Sequence, residues 1–89
     1  MELHLDGRQL TDRQLLHEVI ARQLQFPDYY GENLDGLWDL LSSWNEPLQI
    51  VVEHSGALIG NLGSYGEAVL QLLQDAQEEN SVIQVVYES

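Results

Sequence analysis

Two aspartates four residues apart, Asp35 and Asp39, are the side chains of this sequence best placed to do chemistry. Residues at i and i+4 share one face of an α-helix, so the two carboxylates would lie one turn apart. Glu32 adds a third negative charge just upstream, and residues 23–89 contain no Lys or Arg to neutralise the group. Such acids could bind a cationic partner, hold a metal ion, or share acid and base roles in catalysis.

Aromatic side chains accompany these acids. Tyr29, Tyr30, Trp38 and Trp44 are four of the seven aromatic residues in the chain. Aromatic side chains beside unpaired charges are typical of the energetic centre of a protein–protein interface. We therefore predict a binding surface here, although the acidic composition alone is equally consistent with ordinary solvated acids.

A helix that starts at Leu34, is capped by Asn33 and ends before Asn45 would position the acids. On a helical wheel its apolar arc is predicted to join the core and contains Leu34, Leu37, Leu40, Leu41 and Trp44. The adjacent stripe contains Asp35, Asp39 and Ser42, with Trp38 at the border.

The whole chain predicts a single α/β domain, residues 1–89. Apolar patterns predict three short strands, at 2–6, 48–52 and 82–87. Helices are predicted at 12–25, from Leu34, and over about 15 residues ending near Asn80. The first and last of these start at capping boxes of Thr11 and Ser64. The glycines after the second strand leave room for one further short, weak helix near 56–62, so the second crossover has one or two helices. Crossovers of this length favour a small three-stranded parallel sheet with helices packed on one face, and the strand order stays open. The apolar run at 48–52 is typical of a strand covered on both faces.

Composition restricts the class of partner. Fifteen acids against three Arg and no Lys give a net charge of −12, with Arg8, Arg13 and Arg22 all near the N-terminus. Direct binding of nucleic acid is disfavoured, because Lys and Arg are what bind a phosphate backbone, and a strong electrostatic partner should be cationic. The chain has no cysteine, no long apolar run and no leader-like N-terminus, so we expect a cytoplasmic protein that does not bind membranes.

The stretch PDYYGENLDGLWDLLSSW, residues 27–44, resembles the signature segment of the barstar-like family. Members of this family are intracellular inhibitors of secreted bacterial ribonucleases. The portion YYGENLD-x-LWD is the most specific part, and weaker similarity extends along the whole chain. The resemblance implies a barstar-like fold and an immunity role. It also implies a 1:1 complex with a basic extracellular or contact-delivered ribonuclease of the barnase type, whose active site the helix and its preceding loop block.

The resemblance also implies roles for individual residues. Asp39 would take the place of a substrate phosphate among the arginines and catalytic histidine of the enzyme, and Tyr29 would pack against that histidine. The other predicted partner-binding residues are Tyr30, Asn33, Asp35, Trp38, Ser42, Trp44 and, if the loop before the last helix is one residue shorter than usual, Asp75. Gly36 departs from the family by replacing a helix former, at a cost of about 1 kcal/mol.

One serious alternative is a barstar-like domain that imitates a phosphate backbone to bind another basic protein. Catalysis is disfavoured because two acids on one exposed helix face have no cleft between them and no means of separating their pKa values. Calcium binding by Glu32, Asp35 and Asp39 lacks a loop with ligands at alternate positions. We therefore predict no enzymatic activity, no metal and no cofactor, and we interpret the three histidines (His4, His17, His54) as structural or surface residues.

Overall fold

A computed structural model describes residues 1–88 and has seven elements in the predicted order. They are β1 (Glu2–Asp6), α1 (Arg13–Leu24), α2 (Leu34–Ser42), β2 (Leu48–Glu53), α3 (Ser55–Leu62), α4 (Ser64–Glu79) and β3 (Ile83–Glu88). Within the described residues, no helix is both long and apolar enough to cross a membrane.

The three strands form one parallel sheet in the order β1-β2-β3. With right-handed connections, this order places both crossovers on the same face of the sheet. The residues of that face are buried against the helices, and the core includes Leu3, Leu5, Leu16, Ile20, Leu37, Leu41, Ile50, Val52, Leu58, Val69 and Leu73. The predicted α/β architecture with helices on one face is confirmed.

The opposite face of the sheet corrects the expectation that β2 is covered on both sides. Glu2, His4 and Gln84 are exposed there, whereas Val51 is only 6% exposed. Val51 pairs in register with His4 on one side and Val86 on the other. The in-register neighbours on the adjacent strands flank Val51, so its apolar character does not require a second layer of helices.

Two of the predicted helix caps are wrong. Asp12, not Thr11, caps α1, and its carboxylate accepts a hydrogen bond from Leu15 N at 2.8 Å. The helix α4 begins directly after Gly63, which adopts a positive φ of 62°. No side chain caps the start of α4. The helices α3 and α4 approach closely after this junction, since a Cβ at Gly66 would lie 2.9 Å from the Leu58 carbonyl oxygen.

The helix α2 also ends earlier than predicted, at Ser42. The hydroxyls of Ser42 and Ser43 donate to the Asp39 carbonyl oxygen, at 3.3 and 2.8 Å. Hydroxyls that bond to nearby backbone groups compete with continuation of a helix. Trp44 consequently lies beyond the helix, where its backbone N–H donates to the Leu41 carbonyl oxygen.

Each edge of the sheet is capped by a glutamine from a helix. Gln23 of α1 accepts from His4 N at 2.8 Å and donates to His4 O at 2.9 Å, as a neighbouring strand would. On the other edge, Gln77 of α4 accepts from Val85 N at 2.6 Å. His4 and Val85 lie near the middle of their strands, where an unpaired edge could accept a further strand.

We expect the double substitution of Gln23→Ala and Gln77→Ala to increase self-association, because it exposes unpaired backbone groups on both edges. Analytical ultracentrifugation over a concentration series measures this. Gln84→Ala, at an exposed position on the open face, is the matched control. A double variant with the same concentration dependence as the wild type contradicts the role of the two glutamines.

Candidate functional site

Asn33 sets the start of the helix that carries the acids. Its side-chain oxygen accepts from Gly36 N at 2.7 Å, and its Nδ2 donates to Gly31 O at 3.3 Å. The cap was predicted correctly. It orients the first turn of α2 and leaves Asp35, which lies in that turn, next to the free N–H groups of the helix end.

The carboxylates of α2 lie along a groove of about 640 Å³ between α2 and α4. The groove is lined by Leu34, Asp35, Trp38, Asp39, Ala68, Gln71, Leu72 and Asp75. Asp75 is thus brought beside Asp35 and Asp39 from a distant part of the sequence. The result is a half-buried apolar floor, formed by leucines, an alanine and Trp38, bordered by three carboxylates.

Among residues 1–88, no basic side chain lines this groove. Arg8 pairs with Asp6 instead, with 3.3 Å between Nη2 and Oδ2. The Arg13 guanidinium lies 4.4 Å from the centre of the Tyr65 ring. The negative charge of the groove is therefore left without a local positive charge, which suits a cationic partner.

A second, smaller cleft of about 340 Å³ lies on the other side of Asp39. It is lined by Tyr29, Tyr30, Gly31, Gly36, Asp39, Leu40 and Ser43. Asp39 borders both the groove and the smaller cleft, so it lies at the centre of the surface that the two cavities form. Leu40 was predicted to join the core but is a half-buried wall of this cleft, because it lies at the edge of the apolar arc of the helix.

The two adjacent tyrosines have different environments. Tyr29 is 82% exposed and open to a partner. Tyr30 is half-buried, with its ring 4.9 Å from that of Phe26, centre to centre, and its hydroxyl bonded to Nδ1 of His17. Burial raises the pKa of Tyr30, so its phenol stays protonated. Tyr30 therefore supports the loop from inside, beneath Tyr29.

His17 is a structural residue of this site whose contacts the sequence does not reveal. It is 1% exposed, and its Nε2 lies 2.7 Å from the Tyr65 hydroxyl. A neutral imidazole has one donor and one acceptor nitrogen, so it can bond both tyrosines at once. The network joins α1, α4 and the loop before α2. In the sequence, only the position of His17 on the apolar side of α1 could have indicated that this histidine is buried.

Stability should depend on pH through His17. Desolvation by burial lowers the pKa of His17 below 6.5, so the unfolded chain takes up this proton before the folded chain does. The free energy of unfolding should therefore fall as the pH falls through 6.5 towards the lowered pKa, by at most about 1.4 kcal/mol per pH unit.

Urea unfolding between about pH 7.5 and about pH 5.5 measures the pH effect, because most carboxylates stay ionised there. His17→Gln keeps a donor and an acceptor for the two tyrosines and should reduce the slope. His4→Gln, at an exposed histidine that lies 2.6 Å from Glu2 Oε1, is the comparison variant for the loss of a histidine. An undiminished slope in His17→Gln contradicts the assignment.

Three of the predicted residues, Asn33, Ser42 and Trp44, lie outside both cavities. Ser42 is exposed, while Trp44 is half-buried with its ring 6.2 Å from that of Phe26 and its Nε1 buried without a hydrogen-bond partner. Asn80, predicted only as a helix end, donates from Nδ2 to Leu41 O at 3.0 Å and Trp44 O at 2.8 Å. This amide holds the end of α2 against α4 and so maintains the groove.

A metal centre was the alternative use of the acids. Among residues 1–88, no three His, Cys, Asp or Glu side chains are grouped closely enough to hold a metal ion. Asp35, Asp39 and Asp75 line the groove but do not form such a group.

Comparison with known proteins identifies the family of this chain. The family model described as "Barstar (barnase inhibitor)" matches residues 1–88. A protein of Bacillus subtilis (strain 168) named "Putative ribonuclease inhibitor YrdF" is 45% identical over 76 residues, covering 84% of each chain. A family match over nearly the whole chain and a relative of this similarity show that the protein belongs to the barstar family.

Proposed function

We propose that this protein inhibits a basic bacterial ribonuclease by binding over its active site with α2 and the preceding loop. The observation that carries this proposal is the convergence of Asp35, Asp39 and Asp75 on one groove that no basic side chain of residues 1–88 lines. The family description and the name of the Bacillus subtilis relative both refer to ribonuclease inhibition. The barstar family implies a ribonuclease partner.

Asp39 is the central residue of the proposed interface because it borders both the groove and the smaller cleft. Its carboxylate would occupy the position of a substrate phosphate and accept hydrogen bonds from the arginines of the enzyme. Tyr29, the most exposed aromatic side chain of the surface, would pack against the catalytic histidine. Asp35 and Asp75 would bind further cationic side chains, with Trp38 packed beneath them.

Asn33, Ser42 and Trp44 would have smaller roles at the rim. Asn33 and Ser42 are exposed and could bond the partner directly. Trp44 and Tyr30 are half-buried and would act mainly by supporting α2 and the loop. We propose a 1:1 complex with a secreted or contact-delivered enzyme, formed in the cytoplasm of the producing cell as an immunity function, with no direct binding of nucleic acid and no catalysis by the inhibitor.

Titration into a ribonuclease assay tests the proposal. We expect RNA cleavage by barnase, or by another secreted basic bacterial ribonuclease of a broad panel, to fall linearly to zero at one equivalent of inhibitor. The protein alone should cleave no RNA. Failure to inhibit any enzyme of the panel contradicts the proposal and favours an acidic domain that imitates nucleic acid to bind another basic protein.

Association should be fast and strongly dependent on salt. A protein of charge −12 attracts a cationic enzyme over long distances at low ionic strength, and at about 0.15 M salt screening limits that attraction to about 8 Å. Stopped-flow measurement over a salt series should show the association rate falling steeply while the dissociation rate changes much less. An association rate that does not respond to salt contradicts the electrostatic account.

A further inference from the structure

Gln71 is the one neutral polar residue that lines the groove between α2 and α4. It precedes Asp75 by one turn of α4, and its Nε2 donates to Asp75 Oδ1 at 2.9 Å. Gln71 itself is exposed, whereas Asp75 is partly buried. The hydrogen bond therefore restrains an acidic side chain at the border of the groove.

The direction of this hydrogen bond determines what the groove offers a partner. One N–H of the Gln71 amide is directed to Asp75, while its Oε1 stays an acceptor. Asp75 keeps a second oxygen with no partner among residues 1–88. Together with Asp35 and Asp39, the charged groups of the rim are all carboxylate acceptors, which match a guanidinium group that has only donors.

We propose that Gln71 is a positioning residue for inhibition, which holds the Asp75 carboxylate in one rotamer at the border of the groove before the ribonuclease binds. The inference rests on the proposed function and deepens it. A side chain that is already ordered loses less conformational freedom on binding, and interfaces gain affinity from such preorganisation. Gln71 acts through Asp75, and its loss changes no charge.

A matched control exists on α1. Gln14 makes the same contact with Glu18, from Nε2 to Oε1 at 3.1 Å and also one helical turn apart. Gln14 does not line the groove. Methionine in place of either glutamine keeps the length of the side chain and removes the hydrogen bond, so the two variants should lose a similar, small amount of helix stability.

The first measurement uses the free protein. Three-bond NMR couplings report the χ1 rotamer of Asp75, and we expect one dominant rotamer in the wild type and in Gln14→Met. In Gln71→Met the couplings should shift towards the averaged values of a mobile side chain. Unchanged couplings in Gln71→Met overturn the inference, since Gln71 would then not order Asp75.

The second measurement uses the complex with barnase. Gln71→Met should weaken inhibition about three- to tenfold, the range expected for one net hydrogen bond. The loss should appear in faster dissociation with an unchanged association rate, because no charge is lost. In the Asp75→Asn background the same substitution should have less than about a twofold effect, since the residue it positions is no longer charged. Gln14→Met should inhibit like the wild type.

The outcomes separate this inference from the proposed function. A wild-type protein that does not inhibit barnase removes the proposed function for that enzyme, and the inference for that interface falls with it. A wild-type protein that inhibits, with Gln71→Met equally potent, overturns the role of Gln71 alone. An equal loss in the wild-type and Asp75→Asn backgrounds also overturns it, because Gln71 would then contact the enzyme independently of Asp75.

Discussion

Asp39→Ala is expected to remove most of the inhibitory affinity and to leave the fold intact. Asp39 is exposed and borders both cavities of the proposed interface. In the complex its carboxylate would be desolvated among arginines, which its removal leaves buried and unpaired. Truncations of this kind cost about 2–5 kcal/mol or more, and barstar with barnase is itself a reference pair for that range. The affinity should therefore fall by a factor of about 30 to several thousand.

The free energy of unfolding should stay constant or rise slightly in the same variant. Asp35 lies one turn before Asp39, no cation lies in α2, and a like-charge pair at this spacing destabilises a helix by about 0.2–0.5 kcal/mol. Thermal unfolding and titration against the ribonuclease measure the two effects. Glu78→Ala removes an equal charge from an exposed site on α4 outside the groove and should bind almost normally. An Asp39→Ala protein that unfolds early but binds normally when folded contradicts the assignment of the helix faces.

Leu37→Ala should have the opposite result, a large loss of stability with little direct effect on binding. Leu37 is 0% exposed and belongs to the core. Truncation of a buried leucine costs about 2–5 kcal/mol, from lost burial and the cavity left behind. Domains of this size have total stabilities of about 5–15 kcal/mol, so the variant could lose much of its margin.

Urea denaturation of Leu37→Ala should show a lower midpoint with an unchanged slope. Inhibition by the folded fraction should be nearly normal. Leu40→Ala is the matched control from the same helix, because Leu40 is half-buried beside the smaller cleft and should lose less stability. A Leu37→Ala protein that keeps its stability but binds poorly contradicts the assignment of Leu37 to the core.

Most of the secondary structure could be predicted from local patterns. The spacing of apolar residues located the three strands and the helices α1, α2 and α4, and Asn33 was correctly assigned as the cap of α2. The short helix α3 was expected only from the space that the glycines around it leave. The end of that helix was predicted too late, because the hydroxyls of Ser42 and Ser43 compete for the Asp39 carbonyl. The predicted Ser64 cap of α4 was wrong, because α4 follows α3 directly through Gly63, which has a positive φ. The two helices are also in close contact at Gly66, where a Cβ would meet the Leu58 carbonyl oxygen.

The acidic stripe of α2 could likewise be predicted by helical geometry alone. Asp35, Asp39 and Trp38 occupy the border of the apolar face in the sequence pattern, and the structure places all three on one groove. Asp75 could be added only through the resemblance, because nothing in the pattern of α4 relates it to α2. Whether these residues contact a ribonuclease stays a prediction that the Asp39 and Asp75 variants test.

The amino-acid sequence by itself determined most of the elements and the face of α2 that carries charge, because these depend on periodicities of a few residues. The cationic class of the partner is predicted from composition. Only the tertiary structure decided the strand order β1-β2-β3, the second wall of the groove and the inward orientation of Tyr30. The contacts that hold the loop before α2 and the groove in place join distant positions of the sequence, such as His17 with Tyr65 and Asn80 with Leu41. Contacts of this kind form only when helices pack on the sheet, and this packing decides that Tyr30 is half-buried whereas Tyr29 is exposed.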